Sequence, residues 1–165
     1  MSQRADYTDE EWLTLWRAVT SVPTAMMVAH PDNLVLEAFA ADRALERIAT
    51  HCSGIVQQLL DPSKSEAEVL SHRLDLQRRS AGQRDADEFM NETLDDCRQG
   101  IALLKARGTA DEVAEYQNAL FQIALAVAKA GKEGGIWGMD GVRIDESEKV
   151  FLRDLAEVVG MKWEE

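Results

Sequence analysis

The chain has 165 residues, and its 18 Lys plus Arg against 30 Asp plus Glu leave a net charge of −12. At 45% hydrophobic and 29% charged residues it is neither disordered nor fibrous, and a chain this long buries roughly 70% of its unfolded surface without a disulfide or structural metal. Its acidity repels phosphate backbones, which argues against nucleic acid as a partner, and three prolines with ten glycines are too few for an all-β chain.

The first helix is announced by Thr8-Asp9-Glu10-Glu11, a capping box in which Thr8 and Glu11 each satisfy an orphan backbone N–H. Trp12, Leu15, Trp16 and Val19 then mark one helical face. Pro23 is expected to end or kink this helix, with Ser21 capping a short second one through Ala25–Ala29 that stops before Pro31. Asp32 or Asn33 caps the next segment, where Leu34, Ala38, Ala41, Leu45, Ile48, Cys52, Ile55 and Leu59 step 4-3-4-3-4-3-4. That stripe faces either a core or a partner helix, and Gly54 is a place for it to bend or break.

Asp61-Pro62 closes the segment, and Ser63-Lys64-Ser65-Glu66 is a second capping box before Ala67, Leu70 and Leu74. From Asp85 the pattern resumes with Met90, Leu94, Cys97, Ile101 and Leu104, ending at Lys105, Arg107 and a C-terminal Gly108. Thr109-Ala110-Asp111-Glu112 is the third box, followed by Val113, Tyr116, Leu120, Ile123, Val127 and Ala130. A last helix opens at Asp145-Glu146-Ser147-Glu148, turns Phe151, Leu155 and Val158 inward, and closes at Gly160. No stretch alternates with period two. The expectation is one all-α domain over residues 1–165, a bundle of six or seven helices.

Several features lie outside this scheme. Gly131–Ile144 holds five of the ten glycines, and a connection of that length is unusual in a helical bundle. It carries Trp137, placed to bind a protein partner, and leads through Asp140 to Asp145 and Glu148. Carboxylates on a glycine-rich turn entering a helix suit hard cations such as Ca²⁺ or Mg²⁺, while Asp145 and Glu148 equally suit a capping box that needs no ion. An EF-hand is excluded, because its first two ligand positions fall on Ile136 and Gly138.

Asp85, Glu88, Glu92 and Asp95-Asp96 read as a solvated acidic face, and Arg73, Arg78, Arg79 and Arg84 as a basic island. Contact between the two offers one route to a homo-oligomer. Cys52 and Cys97 sit on apolar stripes and read as buried free thiols; Trp12, Trp16 and Trp163 read as core or terminus anchors. The histidines His30, His51 and His72 form no HExxH motif, Gly131-Lys132 lacks the Ser or Thr of a phosphate loop, and no GxSxG elbow is present. A non-enzymatic protein is expected, with a small hydrolase using carboxylates and His30 as the remaining catalytic option. The opening residues are not a signal peptide, and no apolar run reaches the ~20 residues of a membrane span, so a cytoplasmic protein with no membrane insertion is expected.

Ala124-Leu125-Ala126-Val127-Ala128, then Asp140-Gly141, Ile144–Glu148, Phe151–Ala156 and Gly160 together resemble the tellurite-resistance TerB-like family. The resemblance covers residues 120–160, and the loop before Asp140 is longer than that family's tight turn. It implies an all-α domain of two pseudo-symmetric halves, a stress-associated role, and a divalent cation held by acidic residues at helix junctions. The matching positions are Asp140, Asp145 and Glu148. Ala25–Ala29 resembles Ala124–Ala128, which sets Asp32 and Glu37 in the equivalent roles of the other half, with His30 beside Asp32. Aligning Glu37 on Glu148 puts Ala41 on Leu152 rather than Phe151, so the apolar stripes of the halves differ in register by one residue.

Overall fold

The computed structural model describes residues 2–29, 34–60, 85–133, 144 and 146–163, with backbone alone for 34–42 and 130–133. Six α-helices are present among them: α1 Asp9–Ala29, α2 Leu34–His51, α3 Gly54–Leu60, α4 Ala86–Arg107, α5 Ala110–Glu133 and α6 Glu146–Val159. A 3₁₀ turn, Arg4–Asp6, precedes α1, and no strand occurs among the described residues. The all-α bundle read from the sequence is the observed fold. The capping box at Ser63 and the basic island of Arg73, Arg78, Arg79 and Arg84 lie outside the described residues.

Two of the three capping boxes are seen. The Thr8 N–H donates to Glu11 Oε2 at 2.8 Å, and the Glu11 N–H to Thr8 Oγ1 at 3.2 Å. Thr109 and Glu112 repeat the exchange at the start of α5 at 2.8 and 3.3 Å. Asp85 caps α4 by accepting from the Asp87 N–H at 3.0 Å. At the far end of α6, Gly160 adopts φ +71°, its N–H donates to Glu157 O and the Met161 N–H to Ala156 O. That pair of bonds is the Schellman closure, in which left-handed glycine lets the last carbonyls be satisfied.

Pro23 does not end the first helix; α1 runs through it to Ala29. The hydroxyls flanking the proline fold back onto the helix: Thr20 Oγ1 donates to Trp16 O at 3.1 Å, Thr24 Oγ1 to Thr20 O at 3.1 Å, and Ser21 Oγ to Arg17 O. Such back-bonding lets a helix bend rather than break. Burial of Val22, Ala25 and Met26 on both sides of the proline keeps the two halves on one core. Ser21 is therefore an interior residue, not a cap.

The long Leu34–Leu59 stripe does break. α2 ends at His51, and Gly54 opens α3 with φ +53°. Gly108 closes α4 in extended rather than left-handed backbone, with φ −91°. Its lack of a side chain matters for space, since a Cβ there would lie 3.0 Å from Leu104 O and 3.3 Å from Glu112 Oε2. The glycine-rich loop starts later than its composition suggests, because Gly131, Lys132 and Glu133 belong to α5.

α1 packs most extensively on α4, α2 on α5, and α6 against both α5 and α4. One contiguous apolar core draws on all six helices. Leu15, Leu104, Leu120, Ile123, Leu152 and Leu155 are fully buried, each stabilising by about 1.5–3 kcal/mol relative to exposure. Gly160, at the end of α6, lies beside Gln117 in the first half of α5.

Candidate functional site

Of the five residues expected to hold a cation, two lie on described helices. Glu37 is in the first turn of α2, where the backbone alone is described, and Glu148 is the third residue of α6. Asp32, Asp140 and Asp145 lie outside the described residues, as do Trp137 and His30. The structure thus neither joins nor separates the five.

Glu148 itself is informative. The buried residues of α6 are Glu148, Phe151, Leu152, Leu155, Ala156 and Val159, the i, i+3, i+4, i+7 progression of a single face. The glutamate therefore occupies the core stripe, at 5% exposure, rather than the solvated face. An ionised carboxylate in that position requires compensation by hydrogen bonds or a cation. The exposed residues around it, Glu146, Ser147 and Val150, mark the rim of the same turn.

A second polar group lies on the seam of α1 and α4. Ser21 Oγ lies 3.3 Å from Asp96 Oδ2, and both residues are buried. Asp96 was expected on the acidic outer face with Asp95; at 9% exposure it instead faces inward, while Asp85, Glu88 and Asp95 are exposed and Glu92 partly so. The α4 core stripe is Phe89, Thr93, Leu94, Asp96, Cys97, Gly100, Ile101 and Leu104, with Met90 only half-buried. Thr93 Oγ1 is buried and has no hydrogen-bond partner among the described residues. Beside it, Tyr116 from α5 reaches across Gly100 and donates to Leu15 O at 2.7 Å, tying three helices at one point.

The ionisation behaviour of this region is inert. Burial, then the Asp96 charge, pushes the Cys97 thiol far above its usual range, with Arg98 opposing weakly. Cys52 is pushed up to about 11 by burial and by Glu115. Neither supplies a thiolate at neutral pH, the form that attacks or ligates. Burial, followed by Cys97 and Asp96, raises the Tyr116 hydroxyl as well. Trp12 is buried, and Trp16 and Trp163 pack partly buried against the core.

The third polar group gathers where α1 begins, α4 ends and α5 begins. Glu112 Oε2 accepts from Thr109 N, Thr109 Oγ1 and Ser2 Oγ at 2.8, 3.1 and 3.0 Å, and Oε1 accepts from Ser2 N. Burial works against its charge, but these bonds outweigh it and hold the carboxyl below the usual range. Among the described residues no three His, Cys, Asp or Glu side chains gather as a metal site, and no helix is long and apolar enough to cross a membrane.

Comparison with protein-family models, curated proteins and solved structures finds no match. The family resemblance therefore stands on its residues alone.

Local pattern offers Ser21 as a cap and Asp96 as a solvated-face charge and gives no role to Thr93, because helical periodicity is legible only through the apolar residues. A signal was available at Gly100. A glycine in the middle of a 4-3 stripe, flanked by Cys97 and Ile101, marks the close approach of a neighbouring side chain.

Proposed function

We propose that this chain is a non-catalytic, TerB-like binding protein that takes a divalent cation, Ca²⁺ or Mg²⁺, where the acidic segment Asp140–Glu148 enters α6. The observation that supports this reading is the burial of Glu148 on the core face at the start of that helix. A carboxylate so placed, preceded by Asp145 and Asp140, presents hard oxygen ligands of the kind these ions take. On the resemblance, the setting is the cytoplasm and the role stress-associated. The alternative, a helical interaction module or homodimer without metal, used the stripe through Ile48, Ile55 and Leu59. Those side chains are buried in the chain's own core, while the side chains of Leu34, Ala38 and Ala41 on the same stripe, and Trp137, lie outside the described residues.

Thermal unfolding in chelator and then in Ca²⁺, Mg²⁺ or Mn²⁺ tests the proposal. Binding to the folded state alone stabilises by about 2.7 kcal/mol at a hundredfold excess over Kd, a rise of about 5–10 °C for a chain this size. Asp145→Asn with Glu148→Gln is expected to abolish the rise. A melting temperature indifferent to all three ions removes the cation, and leaves loss of a partner on Trp137→Ala as the outcome to seek.

A further inference from the structure

Residues 2–6 lie against the start of α5, the end of α4 and α3, and every long-range hydrogen bond that fastens them involves a side chain. Ser2 places both its N–H and its hydroxyl on Glu112, 110 positions away. The Arg4 N–H donates to Gln58 Oε1 of α3 at 2.8 Å, and its guanidinium lies 5.1 Å from the Trp12 ring centroid while pairing with Asp9. Arg107, at the end of α4, donates to Asp6 O at 3.0 Å and pairs with Glu11 at 3.0 Å. Beneath the segment the Tyr7 and Trp12 rings meet at 6.4 Å, both buried. The Tyr7 hydroxyl, though buried, has no hydrogen-bond partner among the described residues.

We infer that residues 2–6 are a charge-fastened strap, held by the Ser2–Glu112 contact and able to lift from the bundle as a unit while Tyr7 stays in the core. The reasons are physical. Residues 2–6 are exposed or half-buried and are held by a few directional bonds, whereas Tyr7 belongs to the core, so the strap belongs to the part of the fold that opens at low cost. The Glu112 carboxylate carries both Ser2 bonds and is itself anchored independently by Thr109, which leaves the receptor intact when the strap departs. A hydrogen bond to a charged acceptor is stronger than a neutral one, and an anion in place of the Ser2 hydroxyl converts attraction into repulsion at the same spot. The inference is independent of the cation proposal, since it concerns the other end of α5.

Hydrogen exchange read by mass spectrometry on the full chain tests it, with a peptide from the interior of α5 as the internal reference. In Ser2→Asp, the amides of Arg4, Asp6 and Tyr7 are expected to exchange about tenfold faster or more, the consequence of losing hydrogen bonds to a charged group, while the α5 peptide is unchanged. Adding Glu112→Gln to Ser2→Asp removes the repulsion, keeps an acceptor for Thr109, and is expected to restore protection. Unchanged exchange in Ser2→Asp overturns the inference. So does failure of the second substitution to restore protection, or a parallel rise in the α5 peptide, which would make the opening global.

Discussion

Gly100 sits where α4 meets the Tyr116 side chain, and substituting it sets two effects of known size against each other. Glycine to alanine in a helix interior ordinarily stabilises by about 1 kcal/mol. Here the new Cβ would stand 2.6 Å from Tyr116 Oη, 3.2 Å from Cε1 and 3.3 Å from Cζ. The tyrosine cannot swing away, because it is fully buried and its hydroxyl is held on Leu15 O. Overpacking of that kind costs about 1–3 kcal/mol, and a displaced hydroxyl forfeits about 1 kcal/mol more. Gly100→Ala is therefore expected to destabilise by about 1–3 kcal/mol. In a Tyr116→Phe background the offending oxygen is absent, the remaining contacts are tight but tolerable, and the same substitution should be neutral or stabilising. Urea unfolding of the four proteins of this cycle, followed by far-ultraviolet circular dichroism, gives the coupling directly. If Gly100→Ala raises stability with Tyr116 intact, the account of this contact is wrong.

Three further expectations follow from individual positions. The Glu112 carboxyl is held below its usual range by Thr109 and Ser2, so the stability it adds is fully present above the unfolded-state value near pH 4.3 and is lost as pH falls through the folded-state value. Melting temperatures from pH 6 to 3 should fall less steeply in Glu112→Gln, and identical slopes would contradict this. Thr93→Val replaces a buried hydroxyl that bonds to nothing among the described residues with a methyl of similar shape; a gain of up to about 1 kcal/mol in urea unfolding is expected, and a loss above that size would reveal a partner for the hydroxyl. Gly160→Ala meets only Gln117 Nε2 at 3.9 Å, so its cost of about 1–2 kcal/mol comes from φ +71° alone, and Gly160→Asn should cost less; equal costs would count against a backbone origin.

Much of this fold is legible in the chain because local chemistry and periodicity agree. Thr8, Asp85 and Thr109 start helices by the rule that their side chains can take orphan N–H groups, and the structure uses each of them so. Pro23 was misread because the rule for proline considers the lost N–H and not the hydroxyls of Thr20, Ser21 and Thr24 beside it. Asp96 was misplaced because a charge run suggests a solvated face, whereas burial here depends on a serine 75 positions earlier. Such long-range pairing has no local signature. Of the candidate cation site, the burial of Glu148 follows from its i, i+3, i+4 relation to Phe151 and Leu152. That relation is readable, although the local pattern equally offers Glu148 as a cation ligand or as the capping-box partner of Asp145. The strap is invisible to sequence because Ser2, Gln58, Arg107 and Glu112 have no shared motif and come together only when α3, α4 and α5 converge.

The pairing of α1 with α4 also sets an order of assembly. α4 and α5 are joined through Gly108 and Thr109 alone, so their antiparallel pair needs almost no loop closure and can form in the time of helix growth and collision. α1, by contrast, has its principal neighbour across residues 30–85, and the hydroxyl of Tyr116 must find a carbonyl 101 positions upstream. Contacts at that separation slow the search. Substitutions in the α4–α5 pair should therefore alter the folding rate, whereas Leu15→Ala on α1 should act mainly by speeding unfolding. During synthesis α1 is made before α4, and its Trp12–Met26 face waits uncovered until residues 86–107 supply the helix it packs on most.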